Sequence, residues 1–349
     1  MSYMKRISAL IIVLVVTLIA GGILWMWSRN APFQLTSPIV PVTPIPTVKP
    51  LLRYSFDNLK ETVFNPEQIK LYKELSQTNP DFSTWLFEFQ TEGKRATGLA
   101  NIPLNKPNTE MPIVVLFRGF VPGEIYEPGV GTKRMGEYLA QNGYITLAPD
   151  FLGYGDSDKP SSDAMEERFQ TYTTALSLLS SLPTLNDALI TAGLSAKSDP
   201  TNIGIWGHSN GGHIAIAVLA ITGKPIPTVL WAPVTKPFPY SILYFTDEYD
   251  DNGKGLRKLV ADFEKEYDIE QYSPTNYLEW ITAPIQLHQG TDDEAVPVRW
   301  SDQFVNTMKK INKQISYYTY PGENHNFNLG SWPTLSVRSL DFFNKYLMK

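Results

Sequence analysis

Cysteine is absent from all 349 residues. That excludes disulfides, a thiolate nucleophile and cysteine-ligated metals. It does not fix a redox compartment, because exported chains can also lack cysteine. Positive charge is scarce as well: 30 Lys and Arg face 35 Asp and Glu, for a net charge of −5. No basic surface suited to nucleic acid is indicated. Histidine is the third scarcity. The chain has 4 histidines, at positions 208, 213, 288 and 325, so imidazole chemistry has few candidates. No internal repeat is present. With 43% hydrophobic residues, the chain is long enough to bury a sizeable core.

What is present begins with an apolar run from Ile7 to Trp27, preceded by Lys5 and Arg6. About 21 such residues can cross a ~30 Å hydrocarbon core as a helix. Trp25 and Trp27 suit the far interface, and the flanking cations place the N-terminus in the cytoplasm. The reading is a signal anchor at residues 7–28, with residues 1–6 cytoplasmic and the rest outside. A cleaved signal peptide, cut near Ala20-Gly21-Gly22, is the competing reading. Cleavage there would leave Ile23-Leu24-Trp25-Met26-Trp27 as a greasy terminus, so the anchor is preferred. Residues 29–50 carry Pro32, Pro38, Pro41, Pro44, Pro46 and Pro50. They read as a linker, of which Ala31 to Pro50 forms a semi-rigid stalk at most ~60 Å long at ~3.1 Å per residue.

From residue 51 to 349 the pattern alternates. Strands are expected at Trp85–Gln90, Arg95–Pro103, Pro112–Phe117, Tyr144–Pro149, Ile203–Trp206, Pro225–Val234, Ala283–His288 and Ile315–Tyr320. Helices are expected around Pro66–Leu75, at Thr132–Asn142, Glu166–Leu182 and Leu185–Leu194, in the stretch holding Trp300, Phe304, Met308 and Ile311, and from Pro333 onward. Strand alternating with helix predicts an α/β fold with a mostly parallel, doubly wound sheet. Its sites should lie at the carboxyl ends of the strands. Residues 236–281 interrupt the alternation and read as a small helical cap. Asp250-Asp251-Asn252-Gly253 hints at a calcium loop, but Leu259 stands where the bidentate glutamate belongs. A solvated acidic surface is the better reading, and no metal is expected.

The stretch that carries chemistry is Gly207-His208-Ser209-Asn210-Gly211-Gly212. It joins an apolar strand to a small-residue helix. A serine at the tip of so sharp a bend needs neighbours without bulk, and its hydroxyl is lifted clear of the sheet. The helix N-terminus behind it favours a developing oxyanion. Alone, the motif is also compatible with an ordinary glycine-rich turn. Serine needs a base, and that base needs a carboxylate. His208 lies inside the turn, His213 in an apolar helix and His288 in a buried strand. His325 alone combines a loop position with a strand's carboxyl end, in Tyr320-Pro321-Gly322-Glu323-Asn324-His325-Asn326-Phe327. For the acid, Asp292, Asp293 and Glu294 stand together after a strand, and chemistry alone does not choose among them. They could equally serve the N-terminus of the following helix.

From Trp85 onward the chain resembles an α/β-hydrolase, most closely the catalytic domain of prolyl oligopeptidase-type and dienelactone hydrolase-type enzymes. The elbow with its doubled glycine, His288 to Pro297, Tyr320-Pro321-Gly322 with His325 and Phe327, and Pro149 to Ser157 carry the resemblance. It implies Ser209 as nucleophile, His325 as base and Asp293 as the acid, three residues before Val296 of Val296-Pro297. It further implies that the amides of Asn210 and Phe120 receive the oxyanion, with no cofactor. Two departures stand out. Too few residues precede the domain for the propeller of prolyl oligopeptidases, which leans toward a small-ester hydrolase. Arg118 replaces the usual histidine or tyrosine before Gly119. Arg118 either donates to the oxyanion or, the preferred reading, pairs with a carboxylate such as Asp150.

The expected activity is therefore hydrolysis of a small ester or short peptide outside the cytoplasm. Tyr240, Tyr244 and Phe245 in the cap suggest an apolar or aromatic substrate, or form the cap's own core. The acidic cap would disfavour anionic substrates. The alternative class is a silent α/β-hydrolase used as a surface binding module.

Overall fold

Apolar runs flanked by turn residues do form strands here, and the strands assemble into a sheet that sets every later position. The computed structural model describes residues 14–26, 49–75, 79–104, 110–246 and 249–348. The chain divides into two units, Met1–Val48 and Lys49–Lys349. In the first, residues 14–26 are helical. The rest of the expected 7–28 span, and residues 29–48 of the proline-rich linker, lie outside the described residues. Among the described residues no helix is long and apolar enough to cross a membrane.

The second unit holds strands β1 (Lys70–Glu74), β2 (Phe82–Thr91), β3 (Lys94–Pro103), β4 (Glu110–Phe117), β5 (Ile145–Pro149), β6 (Lys197–His208), β7 (Thr228–Trp231), β8 (Ile285–Gly290) and β9 (Ile315–Tyr320). Among the described residues they form one 9-stranded sheet in the order β1-β2-β3-β5-β4-β6-β7-β8-β9. From β5 to β9 all neighbours are parallel. The pairs β1–β2, β2–β3 and β3–β5 are antiparallel.

Register decides which chain segments meet. Phe117 pairs with Gly207, His208 with Trp231, Trp231 with His288, and Gly290 with Tyr320. The residues just beyond these pairs, Arg118, Ser209, Ala232, Thr291 and Pro321, therefore share one rim. Parallel strands buried on both faces read as continuous apolar runs, and β4, β5 and β7 are of that kind.

The helices are α1 (Phe56–Glu61), α2 (Lys133–Gln141), α3 (Ala164–Ser181), α4 (Leu185–Thr191), α5 (Asn210–Thr222), α6 (Tyr240–Leu243), α7 (Lys254–Glu264), α8 (Val298–Lys310) and α9 (Trp332–Leu347). One face of the sheet is covered by α3, α5 and the 236–281 insertion, with Phe169, Ile216, Phe263 and Tyr272 in its core. The other face carries α2 and α9, with Trp206, Trp231, Trp332 and Phe343 buried. α5 is apolar all round, as an interior helix must be.

The expected helix around 66–75 is not formed. Its C-terminal half is β1, an edge strand pairing Lys70 with Glu88, and its side chains are mostly exposed. Only Ile69 and Leu71 pack inward, two positions apart as in an extended chain, so the segment lacks the apolar stripe a helix would need to dock. The helix of this region comes earlier. Ser55 caps α1 by accepting from the amide of Asn58 at 3.4 Å, and Phe56 and Leu59 bury one face.

The insertion is helical, as expected. Its aromatic core packs sideways onto α3: Phe238, Phe263 and Tyr272 surround Phe169 at 5.6, 5.8 and 4.9 Å between ring centroids. Asp247 and Glu248 of its acidic surface lie outside the described residues. Asp251 is spent on the local turn, accepting from the amides of Gly253 and Gly255 at 2.8 and 2.7 Å. No acid or histidine cluster able to hold a metal occurs among the described residues.

Candidate active site

The turn after β6 explains its own glycines. Ser209 has φ 56° and ψ −120°, a region that non-glycine residues rarely occupy. A Cβ on Gly207 would lie 2.6 Å from the carbonyl oxygen of Gly211. One on Gly211 would lie 2.0 Å from the carbonyl oxygen of Phe117, and one on Gly212 would lie 2.5 Å from Pro233 Cβ. Strand, helix and the neighbouring strand meet backbone to backbone, so no side chain fits between them. The bend is pinned on both sides: the Ser209 amide donates to the Trp231 carbonyl, and the Ser209 carbonyl accepts from the Val234 amide, each at 3.0 Å.

Two backbone amides near Ser209 have no backbone acceptor among the described residues. Asn210 opens α5, where the first amides find no intrahelical partner. The amide of Phe120 donates to no backbone carbonyl among the described residues. Gly119, the residue before it, lies against Ser209: a Cβ there would be 3.0 Å from Ser209 Cβ. The Phe120 ring itself stands in solvent, 71% exposed.

Of the three neighbouring carboxylates, Asp293 is the one turned inward. Its side chain is fully buried, and His325 Nδ1 donates to its two oxygens at 3.0 and 2.9 Å. Asp293 Oδ1 also accepts from the amides of Ala295 and Val296, at 3.0 and 2.7 Å. Gln289 Nε2 donates to Oδ2 at 2.7 Å. Asp292 is exposed and accepts from the Thr291 hydroxyl. Glu294 accepts from the backbone amide of His325 at 3.1 Å. No side chain caps α8, so the acids do not serve its N-terminus.

His325 is set by contacts on both sides. The His208 ring lies 4.6 Å from the His325 ring, and its Nε2 lies 3.2 Å from the His325 carbonyl. His208 in turn stacks on Trp231 at 3.8 Å. Glu323 holds the following loop by accepting from the amides of Leu329 and Ser331. The Ser209 hydroxyl makes no hydrogen bond to His325 among the described residues. In an unliganded site such bonds are commonly long and tighten when substrate arrives.

Arg118 is buried, but not as expected. Its guanidinium donates to the backbone carbonyls of Gly119 and Asp150, each at 2.9 Å, not to the Asp150 carboxylate. It lies over the rings of Tyr154 and Tyr126 at 4.0 and 4.7 Å. The Asp150 carboxylate accepts from Thr97 and Tyr126 hydroxyls at 2.6 and 2.5 Å. Burial raises its pKa. Planar stacking and bonds to two carbonyls suit arginine. The arrangement ties the backbone beside Phe120 to that of Asp150. Tyr240, Tyr244 and Phe245 gather around Trp300 at 5.8, 4.6 and 6.2 Å. Tyr244 and Phe245 pack with Val234, Val296 and Trp300 into a small core beside the acid loop, while Tyr240 keeps 44% of its surface exposed.

The remaining histidines are structural. His213 bonds the Val234 carbonyl at 3.1 Å and the Tyr172 hydroxyl at 3.0 Å. His288 bonds Tyr320 and Gln286, both at 2.8 Å. Burial lowers the pKa of each to about 3. His208 is also held well below its usual range, by burial and then by His325. These rings stay neutral in the folded chain and take up protons once it unfolds. Their contribution is therefore complete above about pH 6.5 and is lost as pH falls toward the folded values. We expect urea-unfolding stability to be flat above neutrality and to drop on acidification, by up to about 1.4 kcal/mol per pH unit for each ring. Stability that rises between pH 6 and pH 4 would contradict this.

The fold is that of an α/β-hydrolase. Solved structures align with it at low identity: an acetyl xylan esterase from Paenibacillus sp. R4 (TM-score 0.56, 15% identity, 84% of this chain and 92% of that one) and an acylaminoacyl peptidase from Pyrococcus horikoshii (TM-score 0.55, 18% identity, 78% and 43%). The model of the prolyl oligopeptidase family matches residues 133–349, and the chain belongs to that family. Curated relatives include dipeptidyl peptidase family member 6 of Caenorhabditis elegans, 23% identical over 63% of this chain and 29% of its own length. Lipase 1 of Psychrobacter immobilis is 29% identical over 51% of this chain and 52% of its own length. The chain thus spans about half or less of these relatives.

Sequence reading missed the supports. Gln289, whose carbonyl accepts from Ser301 at 2.7 Å, is held with its amide toward Asp293. Glu294 and Glu323 brace the histidine loop. Glu294 and Gln289 lie inside the acid segment, so an unexplained amide or acid next to a candidate carboxylate was the available signal.

Proposed function

We propose that this chain is a serine hydrolase that cleaves an ester or short peptide bond through Ser209, His325 and Asp293. The observation that carries the reading is the buried Asp293–His325 pair, on the same rim as a serine held at φ 56°. Ser209 Oγ attacks the acyl carbonyl while His325 Nε2 takes its proton. The negative oxygen is received by the amides of Asn210 and Phe120, each contributing on the order of 3 kcal/mol to the transition state. His325 returns the proton to the leaving alcohol or amine, and an acyl-Ser209 ester remains. Water then repeats the sequence and frees the acid. Asp293 keeps Nδ1 protonated and stabilises the imidazolium. The names of relatives and neighbours, two peptidases, a lipase and an esterase, support both ester and peptide as the bond broken.

The reading includes anchoring by the N-terminal segment, with the hydrolase domain outside the cytoplasm. The uncharged helical residues 14–26, preceded by Lys5 and Arg6, support it. A single experiment tests both parts. A membrane-impermeant fluorophosphonate added to intact cells should label Ser209, and the labelled protein should sediment with membranes. Labelling only after lysis sinks the placement. No adduct on folded protein favours a binding module.

A further inference from the structure

Gln289, the penultimate residue of β8, is a fully buried polar side chain. Strand alternation puts it on the side of Ile285 and Leu287, both in the core of one sheet face. A buried amide is costly unless its polar atoms are bonded, and both of these are. Its oxygen accepts from the Ser301 hydroxyl on α8 at 2.7 Å. Its nitrogen faces three acceptors: Asp293 Oδ2 at 2.7 Å, the Val296 carbonyl at 3.2 Å and the Gly290 carbonyl at 3.3 Å. Turning the amide over would set its oxygen against all three, so its surroundings fix which end meets Asp293.

The two oxygens of Asp293 are not held alike. Oδ1 accepts from the amides of Ala295 and Val296. Among the described residues, Oδ2 has one donor besides His325, and that is Gln289. Bonds to one oxygen leave a carboxylate able to tilt about that oxygen, and a bond to the other stops it. The tilt decides how the two oxygens meet His325 Nδ1, which lies 3.0 and 2.9 Å from them. A carboxylate that tilts takes the imidazole it holds out of line with Ser209, and small misplacements of a reacting group are costly in rate.

We propose that Gln289 is a positioning residue of the hydrolytic reaction. Its amide fixes the plane of the Asp293 carboxylate, and through it the ring of His325, in the orientation that takes the Ser209 proton. This rests on the serine hydrolase reading. Gln289 acts through Asp293 and is not itself a reacting group.

The test uses the full chain and a 4-nitrophenyl ester. Gln289→Met keeps the length of the side chain and removes the donor. Its kcat should fall by about 10- to 100-fold, the usual scale for one hydrogen bond to a buried charge. KM should stay within about twofold of wild type, because the loss falls on the transition state. Gln289→Glu separates a donor from a filler. The proton shared by its facing carboxylates sits on the new side chain, since the amides of Ala295 and Val296 favour the charge on Asp293. That variant should recover about tenfold over Gln289→Met near about pH 6 and lose the gain by about pH 9, once both groups are charged. A Gln289→Met variant that melts lower but keeps kcat within about twofold makes Gln289 a packing residue and overturns the proposal. So does a Gln289→Glu profile parallel to that of Gln289→Met at every pH. Should Gln289→Met not fold, Gln289→Glu decides: a kcat falling from about pH 6 to about pH 9 supports the proposal, and a profile of wild-type shape overturns it. If wild type cleaves no ester and Ser209 takes no fluorophosphonate, the hydrolase reading has failed. The positioning is then read from the proton resonance of His325 Nδ1–H: a shift in either variant supports it, and an unmoved resonance overturns it.

Discussion

Ser209→Ala is expected to lower kcat on a 4-nitrophenyl ester by about 10⁶-fold, the scale seen when a catalytic serine is removed from such a site. The hydroxyl is the one atom deleted. The Ser209 backbone bonds to Trp231 and Val234 remain, as do the glycines that permit the turn. The variant should therefore fold, show the same far-ultraviolet circular dichroism and lose its fluorophosphonate adduct. Under the proposed mechanism, whatever turnover persists comes from water attacking an acyl carbonyl whose negative oxygen the amides of Asn210 and Phe120 receive. A variant with kcat within tenfold of wild type would remove Ser209 from the reaction.

Asp293→Asn should cost about 10⁴-fold in kcat with little effect on KM. The argument is one of tautomers. Asp293 Oδ1 accepts from the amides of Ala295 and Val296. An asparagine keeps its oxygen there and turns its NH₂ toward His325. Nδ1 must then accept, Nε2 carries the proton, and the ring no longer takes one from Ser209. Gln289, which donates to Oδ2 at 2.7 Å, meets a second donor and has to rotate. Asp292→Asn is the control. Asp292 is exposed and makes no contact with His325 among the described residues, so its rate should stay within about twofold, as is usual for surface substitutions. Equal losses in the two variants would mean that Asp293 is not the acid.

Much of this site is legible in sequence because chain-local signals and topology agree. The glycines around Ser209 announce a backbone approach that no side chain survives, and the Cβ distances bear out that physics. β9 falls at Ile315–Tyr320, where the alternation of strands and helices along the chain places it. His325 is singled out because a histidine after a parallel strand must stand on the rim. Other features depend on partners far away in sequence. The edge strand at 70–74 is defined by its pairing with 85–88, and no periodicity within the segment reveals that. Arg118 chooses carbonyls over a carboxylate because Tyr126 and Thr97 already occupy Asp150.

The backbone of Ser209 has a last consequence. A serine kept in a conformation suited to glycine costs of order 1–3 kcal/mol, and glycine at 209 would recover part of that. Selection for thermal tolerance alone should therefore enrich dead enzymes at this codon. The residue that would do the chemistry is one the fold would rather be without, and durability and turnover are traded against each other there.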